Sequence, residues 1–473
     1  MVELLYYAAV AAAMTAALAD WRRGLYLALF FEALRDPVRK IADGHSVLVT
    51  IAAGLVWATV FLGASRKLGP RLFLVLRQLP SLRNAITCLF VALAPAVLVS
   101  SISYSGGYRV AIVGFASYTL PLLGMAVGYH LPRRPEDVWR MLRFYCVVNA
   151  VVLSGTFFEF YKFDLPGLGS VPDANGNVFR WLRYEPGYIV DLMCGFYRSP
   201  DVMGLHAANV SMFASLLSLR PQARFRWLWI GLAVFGGFCL MLSGRRKMIG
   251  MVVVYGAIYA SLRLRQTGAT RVVPIMVALV ALVAVVFAVM SDSESTSDYA
   301  IYAQSTFTQG GSRIQDNVIV GVLDSLQQTG ILGIGLGTAT QGRYYAEVDV
   351  TAKTWQEDGV SRIFAEMGLF GAVFSAAAVF YFLRGSYVAY KMVPPTSPVR
   401  ELQIGMIGVV LATGASFVIS HQAFSGDPCA LLFVSLLFGI MLSGPTQVIR
   451  QMVAAEERQA LLAEELAGPP FPN

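Results

Sequence analysis

Three consecutive cations, Arg245-Arg246-Lys247, follow Ser243-Gly244 between two apolar stretches that leave almost no linker for them. Charge facing lipid is costly, so the cluster either snorkels to headgroups or lines a water-filled cavity. Arginine offers a planar fork of donors matched to phosphate oxygens, so the second arrangement is chemistry for a diphosphate. Further on, Arg313 opens the segment GGSRIQDNVIVGVLDSLQQTG, where Ile314, Val318, Val322, Leu323 and Leu326 recur at helical spacing and predict an amphipathic helix. A lone Arg at that place serves a loop salt bridge or an anion. Gly333, Gly335 and Gly337 form G-x-G-x-G with no strand before and no helix directly after, which is no dinucleotide fingerprint. The expected use is a tight backbone turn at a cavity rim, where missing side chains permit close approach.

Glu357-Asp358 stand just before a helix expected to begin at about Gly359 and to carry Glu366-x-Gly368-x-x-Gly371. A partly desolvated Glu is a competent general base for a sugar hydroxyl. An Asp at a helix start is a good N-cap and is favoured by the helix dipole. The pair divides accordingly, Asp358 to capping and Glu357 to chemistry, with Arg362 one turn further as an additional candidate. Upstream, a polar stretch supplies Arg180, Trp181, Arg183, Tyr184, Glu185 and Arg198, a mix suited to sugar stacking and phosphate contact. His206 follows inside an apolar run, where a lone His more often pairs with a neighbouring helix than catalyses. His421 and Asp427 border a later turn and point to nothing specific.

These residues need elements to hold them, and composition sets the class. Of 473 residues, 56% are hydrophobic and 14% charged, and mean hydropathy is +0.60, too apolar for an ordinary soluble domain. Runs at 46–64, 84–102, 108–129, 140–158, 201–219, 226–243, 247–262, 272–290, 365–383, 403–420 and 428–443 meet the span criterion of roughly 20 apolar residues. Shorter runs at 4–19 and 24–34 are flanked or interrupted by Arg22, Arg23 and Arg35. The expectation is an all-α polytopic membrane protein with about 12–13 helices. The first run lacks a basic leader and a small-residue cleavage site, so it reads as a span rather than a signal peptide.

Orientation follows from the cations. Segments 20–24, 65–83, 130–143, 220–226, 263–271, 384–400 and the tail from 450 hold 22 of the 37 basic residues. Their density is about twice that of the remaining links, which assigns them to the cytoplasm. The two polar segments, 159–200 and 291–366, then lie outside, and three cations at 245–247 on that face run against the positive-inside rule unless a ligand uses them. The net charge of +8 fits basic residues beside anionic headgroups and calls for no nucleic acid. Five scattered cysteines, without a C-x-x-C pair, support neither zinc nor a disulfide framework. The chain reads as one membrane domain over 1–473, with a cytoplasmic tail at 450–473.

The order of Gly-rich turn, acidic pair and E-x-G-x-x-G resembles the signature of the O-antigen ligase and O-antigen polymerase superfamily of membrane glycosyltransferases. The resemblance runs in motif order over about residues 130–445 and is specific over 313–371. It implies a GT-C-like helical fold with one long extracytoplasmic loop, in the bacterial inner membrane with its site facing the periplasm. It implies an undecaprenyl-diphosphate-linked glycan donor, a glycan or lipid acceptor, inverting transfer without metal or other cofactor, and other polysaccharide-assembly proteins as partners. Superfamily members carry an Arg where Arg245 and Arg246 stand, and another at the distance of Arg313 from the Gly-rich turn. The resemblance therefore gives Arg245, Arg246, Arg313 and Arg198 to the donor diphosphate. Ligase members place His-Asn where this chain has Glu357-Asp358. That departure weights the expectation toward a polymerase of lipid-linked repeat units, with a ligase as alternative. A transporter or export component is a further alternative, opposed by the absence of matched broken-helix repeats.

Overall fold

The computed structural model describes residues 2–42, 48–170, 180–185, 187–220, 225–267, 297–308, 311, 315–340, 346, 348, 358–420 and 428–467. It is an all-α bundle. The helices are α1 (Val2–Ala19), α2 (Trp21–Ile41), α3 (Leu48–Leu68), the short α4 (Leu74–Gln78), α5 (Pro80–Ser103), α6 (Gly107–His130) and α7 (Pro135–Phe160). They continue as α8 (Pro200–Leu219), α9 (Arg226–Leu242), α10 (Arg246–Thr267), α11 (Ser297–Thr308) and α12 (Gly321–Thr329). Last come α13 (Gly359–Lys391), α14 (Pro398–Ile419), α15 (Pro428–Leu442) and α16 (Gly444–Ala467).

Among the described residues, nine helices are long and apolar enough to cross a membrane, or ten if the bent pair α15–α16 counts as one span. The larger number expected from sequence also includes α9, at 17 residues, the charged α2, and 272–290, which lies outside the described residues. Close pairs are α2 with α3, α5 with α13, α6 with α15, α8 with α9 and α10 with α14. Small residues permit the approach: a Cβ on Gly128 would stand 2.0 Å from the Leu436 carbonyl oxygen, and one on Gly439 equally close to that of Met125.

Two features depart from the expected layout. The run at 24–34 does not stop at Arg35, because α2 continues unbroken through Arg35, Asp36 and Pro37 to Ile41. Its charges do not break the helix because they have partners inside the protein. Lys40 Nζ donates to the carbonyl oxygens of Gly195 (2.7 Å) and Gly169, and Asp36 Oδ2 accepts from the Arg198 amide at 3.2 Å. The polar segment after α7 also folds into a hairpin, β1 (Leu182–Glu185) and β2 (Tyr188–Asp191), antiparallel with Tyr184 opposite Ile189.

Loop contacts sort the helix ends into two sets. At one end Arg22 donates to the carbonyls of His130 (2.8 Å) and Leu131, and His130 meets the Arg71 carbonyl at 2.7 Å. There too Arg450 reaches the Pro132 carbonyl at 3.0 Å, and Arg263 pairs with Glu401. This is the set of basic segments that the charge pattern groups together. The other end gathers 159–170, 180–185, 187–200, 243–247 and 330–340. Cysteines introduced at Ser295 and Thr351, positions outside the described residues, are expected to react with an impermeant thiol reagent in intact spheroplasts. Labelling only after permeabilisation would invert the topology.

Candidate functional site

At the loop end, α8, α9 and α10 meet around one carboxylate. The Ser199 hydroxyl accepts from the Val202 amide and caps α8, Pro200 sits at its first position, and Asp201 is thereby set in the first turn. Across from it, α9 ends at Ser243, Gly244 turns the chain at φ +59°, and α10 starts at Arg246. Glycine is favoured there by the left-handed φ, and a Cβ would also push the end of the Leu192 side chain aside. The tight turn aims Arg245 and Lys247 at Asp201, with Arg245 Nη2–Oδ2 at 2.8 Å and Lys247 Nζ–Oδ1 at 3.0 Å. Arg246 points the other way. It pairs with Glu185 on the hairpin at 2.5 Å and lies 3.9 Å from the Tyr302 ring centre.

The three cations therefore differ in what remains available. Arg246 and Lys247 are 9% exposed, whereas Arg245 is 23% exposed. Its guanidinium also lies 5.9 Å from the Trp181 ring. Three cations against Asp201 and Glu185 leave the cluster positive, which suits an incoming polyanion. Aromatic walls surround it: Trp181, Tyr188, Tyr299 and Tyr302 pack on one small apolar cluster with Leu192 and Leu242.

The cluster continues in both directions. Lys247 donates to Ser420 at 2.9 Å at the end of α14, and one turn back on α14 the Phe417 ring abuts Gly359, the first residue of α13. On the other side, Arg198 N bonds Asp36 of α2, while Glu159 Oε2 accepts from the amides of Cys194 (3.0 Å) and Gly195 (2.6 Å). Burial pushes the Cys194 thiol up to about 12, so it stays protonated at neutral pH. The result is an arc of charge running from α2 through the 194–201 segment to α10, α14 and the start of α13.

A second polar centre lies within α13. Asp358 is its N-cap, accepting from the Ser361 amide at 2.7 Å. Two turns later Gly368 adopts φ +64° and kinks the helix. The Gly-rich turn fills that break: the Ile334 amide donates to the Ala365 carbonyl at 2.9 Å and the Leu369 amide to that of Ile331 at 2.8 Å. Gly333, Gly335 and Gly337 have φ of +72°, +104° and +86°. Their missing side chains allow the turn to press between α5, α6 and α13, with Leu336 buried on Ala92, Leu93 and Ala96. Below the turn Glu366 is wholly buried. It accepts from Tyr118 Oη (3.0 Å), Thr340 Oγ1 (2.9 Å), the Ala339 amide (3.2 Å) and Arg362 Nε (3.3 Å).

A Gly337→Ala change is expected to lower stability by at least about 2 kcal/mol, the left-handed φ adding to the clash. Its Cβ would stand 2.2 Å from the Val110 carbonyl oxygen. Gly330→Ala, with open space around it, is the control for the clash in a detergent thermal melt: at φ +69° and ψ −173° it carries a backbone cost of about 1–3 kcal/mol alone.

The expected residues are thus distributed unevenly. Arg245, Arg246 and Arg198 share the arc; Asp358 and Arg362 lie in α13. Arg313, Glu357, His421 and Asp427 lie outside the described residues. His206 is buried in a different place. Its Nδ1 meets Tyr145 Oη at 2.8 Å, its ring stacks on Tyr197 at 5.0 Å, and Tyr197 Oη donates to Asn149. Sequence reading missed Asp201, Tyr118 and the charged half of α2, and it named Glu185 and Glu366 without their ion-pair partners. Only Asp201 had a usable signal, in its place at N2 of a Ser-Pro-capped helix. Comparison with known protein families and with characterised proteins returned no match.

Proposed function

We propose that this chain is a bacterial inner-membrane glycosyltransferase that joins lipid-linked oligosaccharide repeat units into surface polysaccharide, with the loop end facing the periplasm. The observation that carries this reading is Arg245: the most exposed of three cations in a net-positive cluster walled by aromatic rings at the rim of a membrane bundle. That combination fits the diphosphate of an undecaprenyl-linked glycan, with rings against which sugars stack.

In the proposed reaction the acceptor hydroxyl oxygen forms a bond to the anomeric carbon of the donor. The bond from that carbon to the diphosphate breaks, and the diphosphate departs with the electron pair. Arg245, with Arg313 from the long loop, stabilises the negative charge that develops there. Glu357 accepts the hydroxyl proton. Asp201 keeps Arg245 and Lys247 aligned before the donor arrives. Asp36 and Lys40 hold loop backbone in place, so these two α2 charges read as anchors rather than as a transport path.

A deletion strain distinguishes the polymerase from its relatives. Single repeat units on the cell-surface anchor, with no long chains, are expected. Loss of all glycan from the anchor with free polymer retained would identify a ligase, and repeat units trapped inside the cell an export component.

A further inference from the structure

We infer that Arg362, Glu366 and Tyr118 are positioning residues that lock the Gly-rich turn to the half-helix 359–367 and thereby fix the start of α13, whose N-cap Glu357 directly precedes in the chain. The link to Glu357 rests on the glycosyltransferase reading above; the lock itself does not.

The geometry is that of a latch. Residues 359–367 form a half-helix set off from the rest of α13 by the break at Gly368. Backbone bonds alone tie it to the Gly-rich turn only at Ile331, Ile334, Ala365 and Leu369, all near the break. Apolar contacts from Phe417 at Gly359 and around Ile363 also touch its upper part, but the side-chain hydrogen bonds that join it to the turn and to α6 run through one buried ion pair. Arg362 Nη2 donates to Thr340 Oγ1 of the turn at 2.6 Å and to Ser117 Oγ of α6 at 3.2 Å, and its guanidinium lies 5.0 Å from the Tyr118 ring. Glu366 gathers donors from α6, from both residues at the end of the turn, and from Arg362 itself. Three separate parts of the chain thus converge on two side chains, 3% and 0% exposed.

A buried ion pair is a poor source of net stability, because desolvating both charges offsets most of their attraction. Its value is directional. Each hydrogen bond has one geometry, and the four residues between Glu357 and Arg362 leave the start of α13 little room to rotate once Arg362 is fixed. Glu366 is too enclosed to reach an acceptor hydroxyl, which separates its role from that of Glu357.

The test exploits the difference between stability and direction. In the full-length protein, Arg362→Met, Glu366→Leu and Tyr118→Phe together replace the network by apolar groups, a change that commonly leaves buried ion-pair sites folded. The latch predicts a near-unchanged thermal melt, faster amide exchange at 334–340, and a kcat about 10²-fold lower with donor KM unchanged, the size of loss that follows an ångström of misplacement. Wild-type kcat, or unchanged exchange, in the folded triple variant would overturn it, as would a rise in donor KM that accounts for the whole loss. Should the triple variant fail to fold, Tyr118→Phe removes one donor to Glu366 while leaving the ion pair intact and supplies the same comparisons at smaller amplitude. If wild-type protein transfers no glycan, the functional reading falls, while amide exchange still decides whether the latch exists.

Discussion

Glu357→Gln should lower transfer from a purified lipid-linked glycan by about 10²–10⁴, the loss typical when a general base is removed. The substituted amide keeps size and hydrogen bonding but accepts no proton. Donor binding should survive, because the proposed mechanism gives the diphosphate to arginines on other elements. The neighbouring residue sharpens the comparison. Asp358 is occupied as the N-cap of α13, bonded to the Ser361 amide, so the helix start does not need Glu357 for capping. Asp358→Asn should be mild, since Asn caps about as well as Asp. Glu357→His is expected to restore part of the activity by supplying another base at the same place. A Gln variant that melts like wild type and turns over at near wild-type rate would remove Glu357 from the mechanism, leaving activation of the acceptor to the donor diphosphate.

Arg245→Ala should cost about 10²–10³ in turnover, as when one preorganised donor to a developing anion is lost. Lys at this position should recover part of that, since it retains charge but not the bidentate fork. The expected contrast is with Arg246. Its bonds to Glu185 and its place on Tyr302 tie the hairpin to α10, so Arg246→Ala should lower the melting temperature as well as activity. Arg245 pairs only with Asp201 among the described carboxylates and stays partly exposed, so its removal should spare the fold. Arg313→Ala, on the long loop, should resemble Arg245→Ala. Full activity in both Ala variants would return the cluster to simple snorkelling at a helix end.

Much of the architecture was legible because membrane spans are written in local composition. Bilayer thickness dictates helix length and the lack of water dictates apolarity, so α3, α5, α6, α7, α8, α10, α13 and α14 can be read one by one. The cap at Asp358 and the turn at Gly333, Gly335 and Gly337 were equally local, because capping and positive φ depend on residues within a few positions. The grouping of basic segments at one end also followed from counting cations.

What sequence reading could not provide was which charge meets which. Hydropathy marks Arg35, Asp36 and Lys40 as the end of a span, since it has no means of knowing that the carbonyls of Gly169 and Gly195 and the amide of Arg198, well over a hundred residues away, satisfy Lys40 and Asp36 inside one continuous helix. Arg245 and Arg246 were indistinguishable as neighbours in the chain. Tertiary structure separates them, because a left-handed Gly244 and the capped start of α8 send one to Asp201 while the hairpin takes the other. Glu366 looked like one letter of a motif, and only the packing of α6 and the Gly-rich turn against a kinked α13 makes it the acceptor for four donors. Helices form from neighbours a few residues apart, but a buried charge must find its partner in space, and that pairing exists only once the bundle has assembled.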